Sequence, residues 1–186
     1  VQAPLATGIS LPTMDKAKSL FDRPDSFGWI SIALHWFSAL AITLLWLVGQ
    51  SIASQSAEQI DARRSLHITL GLVLWLPLVA RLVWRLRIKH PWVAGQGRTT
   101  HRLAKAAHYS ILVVLGVSLL TGPVMVWALP EGSGFNEIAF AVHATAAEAL
   151  AVLVVLHVLA ALKHLMFHDD ETIARIFVPR RADESD

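Results

Sequence analysis

The sequence predicts an all-α membrane protein, a four-transmembrane-helix bundle with both termini cytoplasmic, and three observations carry that prediction. Of 186 residues 54% are apolar and 16% charged, with a mean hydropathy of +0.51, too apolar for a soluble domain of this length. Four long, nearly uncharged stretches lie between charged residues. The cations are gathered into the connection between the second and third stretches.

The first stretch lies between Asp25 and Glu58, with Trp29 and Ile30 leading into ISIALHWFSALAITLLWLVG. The second, SLHITLGLVLWLPLVA between Arg64 and Arg81, has sixteen uncharged residues and is short for a span of roughly 20. Arg81 and Arg85 extend it by reaching the headgroups with their charged tips. The third lies between Lys105 and Glu131 and carries ILVVLGVSLLTGPVMVWAL, where Gly122 and Pro123 predict a kink near its end. The fourth runs between Glu137 and Lys163, interrupted only by Glu148.

The connection from Arg81 to Lys105 holds Arg81, Arg85, Arg87, Lys89, Arg98, Arg102 and Lys105 with no acid, and the one around Glu131 and Glu137 holds no base. Because Lys and Arg are retained on the cytoplasmic side, both termini and the second loop are predicted cytoplasmic. Trp29, Trp46, Trp84, Trp92 and Trp127 fall broadly at helix ends, as an interfacial belt would. Three segments follow: an amphiphilic arm over 1–26, a membrane domain over 27–168 and a polar cytoplasmic tail over 169–186. The arm holds Pro4, Gly8, Pro12 and Pro24 and no continuous apolar run of a signal peptide. It is expected to dock on this bundle or on a partner subunit.

With no cysteine, disulfides, iron–sulfur clusters, thiolate metal sites and covalent haem attachment are excluded within these residues. A formal charge of +2 with clustered cations argues against a nucleic-acid surface. The nine histidines are the remaining ligand chemistry. An ionisable group inside a membrane is expensive, so His35, His67, His143 and His157 require an explanation.

His143 and His157 are fourteen residues apart, about four turns, so one face of the fourth helix offers two imidazoles at depths differing by about 21 Å. His35 lies near the cytoplasmic start of the first helix and His67 near the periplasmic start of the antiparallel second. Topology therefore pairs His35 with His157 and His67 with His143. Neutral imidazoles suit the axial positions of a low-spin haem, and two such pairs predict two haems stacked across the bilayer. Taken singly, each histidine is as well explained by an interhelical hydrogen bond; the matched depths favour haem. Zinc or di-iron would call for carboxylates or thiolates, and only Glu148 is buried in the spans.

Other residues are read more weakly. His164, seven residues after His157, shares its face and has the chemistry to bind a quinone carbonyl, the alternative being an interfacial histidine. His101, His108, His168 and His90 default to exposed roles. Arg63, Arg64, Arg81 and Arg85 lie where haem propionates would emerge, and topological anchoring explains them equally. Gly71, one turn after His67, allows either a close porphyrin face or a packed neighbouring helix.

Over roughly residues 27 to 180 these features resemble the bacterial cytochrome b-561 family of di-haem membrane proteins. The matching elements are His35-Trp36, His67 with Gly71, Arg81 and Arg85, then His143, His157 and His164, and finally Phe167, Asp170, Thr172 and Arg175. The resemblance implies two haem b groups ligated by His35, His67, His143 and His157, and exchange of electrons with ubiquinone or a similar membrane quinone. It also implies residence in the bacterial inner membrane, with His164 in the quinone region. The chain departs from the family's pattern at Leu112 and Leu119, where a tyrosine and a proline are often found, at Glu148, and in its long arm.

The leading expectation is a di-haem cytochrome carrying electrons between a periplasmic redox partner and membrane quinone, superoxide oxidation being one such reaction, with Arg63 and Arg64 attracting the anion. The alternative is a haem-bearing membrane-anchor subunit of a larger dehydrogenase or respiratory complex, held through the arm. A haem-free transporter using the histidines and Glu148 is a third reading, and the chain lacks the internal repeat common in that class.

Overall fold

Each apolar stretch folds as one long helix. In a computed structural model, which describes residues 20–22, 26–54, 56–88, 98–128, 130–167 and 176–178, the helices are α1 (Trp29–Ala53), α2 (Ala57–Arg87), α3 (Arg98–Pro123) and α4 (Gly134–Phe167). All four are long and apolar enough to cross a membrane, and there is no strand among the described residues. Successive helices are antiparallel: α1 packs mainly on α2, α3 mainly on α4, α2 meets α3, and α1 and α4 touch only lightly.

Among the described residues the buried apolar side chains are few and small to medium in size: Ile32, Ala41, Val48, Leu78, Leu112, Leu115, Ala146 and Leu150. Large apolar residues such as Leu40, Val73, Leu76, Val113, Leu120 and Phe140 point outward. In water that surface would be a liability; in lipid it is the expected exterior, because hydrocarbon tails solvate it as well as a core would. Association then rests on close packing and on hydrogen bonds between helices. Trp75 Nε1 on α2 donates to the Leu119 carbonyl on α3 at 2.9 Å, and the Gln50 amide on α1 donates to the Glu148 carboxylate on α4.

The second span is longer than its sixteen uncharged residues suggest. α2 continues through Arg63 and Arg64 at one end and Arg81 and Arg85 at the other. Arg is a good helix former, so a charge ends the apolar stretch without ending the helix. Pro77 lies inside α2 and removes one backbone donor, a loss that membrane helices tolerate through neighbouring groups.

Pro123 ends α3 as a regular helix, and Val124–Ala128 continue as a π-helical turn. Asn136 ties this turn to α4: its side-chain amide donates to the Met125 carbonyl at 3.1 Å. The Asn136 backbone N–H in turn donates to Ser133 Oγ at 3.2 Å, the side-chain cap that starts α4. Across the same end of the bundle Arg64 meets Glu131 at 3.5 Å, an exposed pair joining the first and third connections.

At the opposite end part of the N-terminal arm folds onto the bundle. The Ile30 backbone N–H donates to the Leu20 carbonyl at 3.2 Å, and Phe21 stacks on Trp84 with ring centres 6.1 Å apart. Asp22 is the anchor. Its carboxylate accepts the Gly28 backbone N–H at 2.7 Å and the Ser31 hydroxyl at 2.8 Å, which places an anion on the positive N-terminus of α1. Gly28 is required by approach: a Cβ there would lie 2.4 Å from the Phe21 backbone. Residues 1–19 and 23–25 of the arm lie outside the described residues, as do Trp92, His90 and His168.

One tryptophan of the interfacial set, Trp84, departs from that reading, and Trp36, outside that set, holds part of the tail. Trp84 is half-buried and donates from Nε1 to Ser31 Oγ at 2.8 Å, joining α2 to α1. Trp36 donates to the Ile176 carbonyl at 2.9 Å and packs against Phe177 with ring centres 4.8 Å apart, so part of the C-terminal tail lies at the same end as the N-terminal segment.

Candidate functional site

α4 is the shared wall of the site. It presents His143 and His157 on one face, and α2 and α1 each bring one imidazole to meet them. His67 faces His143 with ring centres 6.3 Å apart and planes at 82°. His35 faces His157, also with centres 6.3 Å apart, and planes at 62°. All four rings are half-buried between helices.

The separation is informative. Two imidazoles in direct contact approach more closely than this. If each ring bound one ion through a nitrogen at about 2.0–2.1 Å, with about 1.1 Å from nitrogen to ring centre on either side, the centres would stand roughly 6.2–6.4 Å apart. Both pairs fit a single metal held between two axial imidazoles, as in a bis-histidine haem. Among the described residues there is no group of three or more His, Cys, Asp or Glu side chains arranged to hold a metal ion. The donor chemistry is therefore that of two-ligand sites.

Glycines seat two of these rings. A Cβ on Gly49 would lie 3.3 Å from Cε1 of His67, and one on Gly122 would lie 3.4 Å from Cε1 of His143. Gly71 behaves differently, since a Cβ there would meet no atom within 4 Å. No neighbouring helix occupies that space, which removes the helix-packing explanation of Gly71.

Polar neighbours differ from ring to ring. Nδ1 of His143 lies 2.9 Å from Thr121 Oγ1 on α3, and the ring also faces the Ser118 backbone carbonyl. Nδ1 of His67 faces the Leu45 carbonyl without reaching hydrogen-bond geometry. Nδ1 of His35 faces Nη2 of Arg81 at 3.5 Å, the outer limit of a hydrogen bond. Arg85, one turn beyond Arg81, is claimed by the arm: its Nη1 lies 3.8 Å from the Asp22 carboxylate, with both side chains at most 5% exposed. Its guanidinium also lies over the Phe27 ring, 5.4 Å from the centre.

Two histidines assigned exposed roles, His108 and His101, are not exposed. His108 on α3 is half-buried, with its ring centre 5.0 Å from that of His157. Its Nδ1 donates to the Ala104 carbonyl at 2.7 Å, a bond to its own helix that fixes the ring's direction. At 5.0 Å the two rings are too close to share an interposed ion, so His108 is a neighbour of His157 and His35 is the residue opposite it. His101 is also half-buried. His164 lies half-buried two turns beyond His157 on α4. Thr121, Gly49 and Asp22 were not singled out from the sequence, and Gly122 was read only for a kink; a threonine or glycine in an apolar helix carries no periodic signal, and Asp22 sits in a segment with no regular structure to read.

Residues 26–179 match the family model described as prokaryotic cytochrome b561. The chain is also similar to cytochrome b561 homolog 2 of Escherichia coli (strain K12), 28% identical over 177 residues that cover 85% of this chain and 94% of that protein.

Proposed function

The chain belongs to the prokaryotic cytochrome b561 family, b-type haem electron-transfer proteins spanning the bacterial inner membrane, and from that premise we propose that it holds two haems and links a periplasmic redox partner to membrane quinone. His67 and His143 ligate one haem and His35 and His157 the other. The observation that carries this reading is the pair of imidazole–imidazole separations of 6.3 Å, one on each side of α4's four-turn ladder. When bound, haem iron supplies the one-electron chemistry. The chain supplies ligands, spacing and a dry surrounding.

Arg81, beside His35, is the cation best disposed to receive a propionate, and Arg85 shares its charge with Asp22. Gly71, with open space where a side chain would be, leaves room for a porphyrin face next to His67. His164 lies beyond His157 toward the cation-rich end and suits a quinone carbonyl there. That end is cytoplasmic, by the cations between Arg81 and Lys105. At the other end Arg63 and Arg64 supply positive charge for an anionic donor such as superoxide, with Arg64 partly offset by Glu131. The family's haem chemistry replaces the transporter reading.

The test is a pyridine haemochrome count with a reduced-minus-oxidised spectrum of the detergent-purified protein. Two haems per chain with a low-spin b-type α-band are expected. His67→Ala or His143→Ala should each remove one haem and spare the other. One haem per chain, or loss of both from a folded variant, would overturn the two-site assignment.

A further inference from the structure

The one polar side chain that holds a proposed ligand from α3 is Thr121, and the protons around it can be counted. A threonine hydroxyl has one proton to give. Two backbone carbonyls are within its reach, Val117 at 2.8 Å and Ser118 at 3.4 Å, and a carbonyl can only accept. The shorter bond closes a loop to the residue one turn earlier in the same helix, a common resting place for a helical threonine. With the proton committed there, the lone pairs of Oγ1 remain for Nδ1 of His143 at 2.9 Å.

That nitrogen must therefore be the donor. The other tautomer would set a bare nitrogen against an oxygen whose proton points elsewhere, or would require the hydroxyl to abandon Val117. A neutral imidazole has one N–H, so with Nδ1 protonated the lone pair resides on Nε2. Gly122, next in sequence, completes the seat, because any side chain there would press on Cε1 of the same ring. Thr121 and Gly122 thus fix both the orientation of the ring and the nitrogen that carries its lone pair.

We infer that Thr121 is a positioning residue for His143, selecting its ligating tautomer and raising its basicity through the Nδ1–H···Oγ1 hydrogen bond, so that one haem is tuned to a lower potential than it would otherwise have. The inference rests on the reading of His143 as a ligand. A ligand whose second nitrogen donates a hydrogen bond has more electron density to give to a metal and stabilises its higher oxidation state. Among the described residues neither His67 nor His35 has a hydroxyl in this position: His67 Nδ1 has no hydrogen-bond partner, and His35 faces the Arg81 cation, which can only donate. The effect of Thr121 is accordingly confined to one site.

The experiment compares Thr121→Val, which keeps the shape and removes the hydroxyl, with Thr121→Ser, which keeps the hydroxyl, using His143→Ala to identify the haem concerned. Haem per chain is counted by pyridine haemochrome, and potentials are resolved by spectroelectrochemical titration into one-electron components. A net hydrogen bond of about 0.5–1.5 kcal/mol corresponds to roughly two- to twelvefold in the ferric-to-ferrous equilibrium. Thr121→Val should retain both haems and raise only the component missing from His143→Ala, by about 20 to 60 mV at about 59 mV per decade. Thr121→Ser should stay at the wild-type potentials. Loss of that one haem alone from Thr121→Val, with Thr121→Ser intact, would also support the assignment. Unchanged potentials in Thr121→Val would overturn it, the Ser118 carbonyl then serving the ring instead; equal shifts of both components would overturn it as well. Retention of both haems by His143→Ala would instead refute the underlying ligand reading. Should Thr121→Val lose both haems, Thr121→Ala, which removes the hydroxyl without filling the seat, is read by the same criteria.

Discussion

Replacing Asp22 with Ala should release the N-terminal segment from the bundle, and the size of the effect follows from what the carboxylate touches. It accepts two hydrogen bonds, at 2.7 and 2.8 Å, and faces the Arg85 guanidinium at 3.8 Å. The side chains of Asp22 and Arg85 are 3% and 5% exposed, so water does little to screen the pair. Truncation leaves a buried guanidinium unpaired, one turn from a second cation at Arg81. Removing one partner of a buried ion pair costs about 3–5 kcal/mol, and the two lost hydrogen bonds fall within that figure because they belong to the same desolvated group. The expected consequence is local: Phe21 leaves Trp84, and Ser31 retains only its bond from the Trp84 indole.

Limited proteolysis followed by intact mass measures this opening directly. A change of about 3–5 kcal/mol multiplies the open population by roughly two to four orders of magnitude, until the segment is fully released, and cleavage before α1 should rise in proportion. The double variant Asp22→Ala, Arg85→Met should recover much of the protection, because replacing a buried pair by apolar side chains is often neutral. Unchanged cleavage in Asp22→Ala would refute the anchoring role. A double variant no better than the single one would show that the unpaired guanidinium was not the cause.

Three further outcomes are expected. His108→Leu should keep the full haem complement, since the 5.0 Å approach of His108 to His157 leaves no room for an interposed iron, and a haem count that falls would make His108 a ligand. Gly49→Ala should lower occupancy of the haem proposed for His67 and His143, because the new methyl would lie 3.3 Å from a ring carbon that must give by a few tenths of an ångström, and Gly122→Ala, at 3.4 Å, should do so less; Gly71→Ala meets no protein atom within 4 Å, so any haem lost from it would report the cofactor's own approach. Glu148→Leu breaks the contact with Gln50 between two helices that touch only lightly, and a loss of about 0.6 kcal/mol, up to roughly 1.7, is expected in detergent unfolding, with Glu148→Gln close to wild type.

The four spans were legible because a membrane helix must satisfy its own backbone and show lipid an apolar face, which leaves long uncharged runs in any sequence. The boundaries were less so. α2 passes through two pairs of arginines that break the apolar run without breaking the helix, and α3 gives way to a π-helical turn at Pro123, where the sequence predicts only a kink. The meeting of His35 with His157 and of His67 with His143 followed from helix direction and rise alone. His108 was misjudged because its depth was taken from its distance to the charged loop, whereas its burial depends on which face α3 turns toward α4. The arm's hold on the bundle was hidden for another reason: Asp22, Gly28 and Ser31 act through turns and close approach, which no periodicity announces.

What distinguishes the two sites lies in residues that the spans would tolerate in many forms. The ring separations are equal, so distance alone gives no reason for the two sites to behave differently. Nδ1 lies against a hydroxyl at His143, has no hydrogen-bond partner at His67 and stands 3.5 Å from a cation at His35. In a medium of low dielectric such neighbours act at nearly full strength, and a cation favours the reduced form of an adjacent metal while a hydrogen-bond acceptor behind its ligand favours the oxidised form. On the proposed two-haem reading, an electron would therefore experience a difference in energy between two sites built on the same ligand geometry. Arg81→Leu should lower the potential of the component that His35→Ala removes, the opposite sign to Thr121→Val on the other component. Shifts of the same sign in the two variants would refute this account of how the scaffold sets the difference.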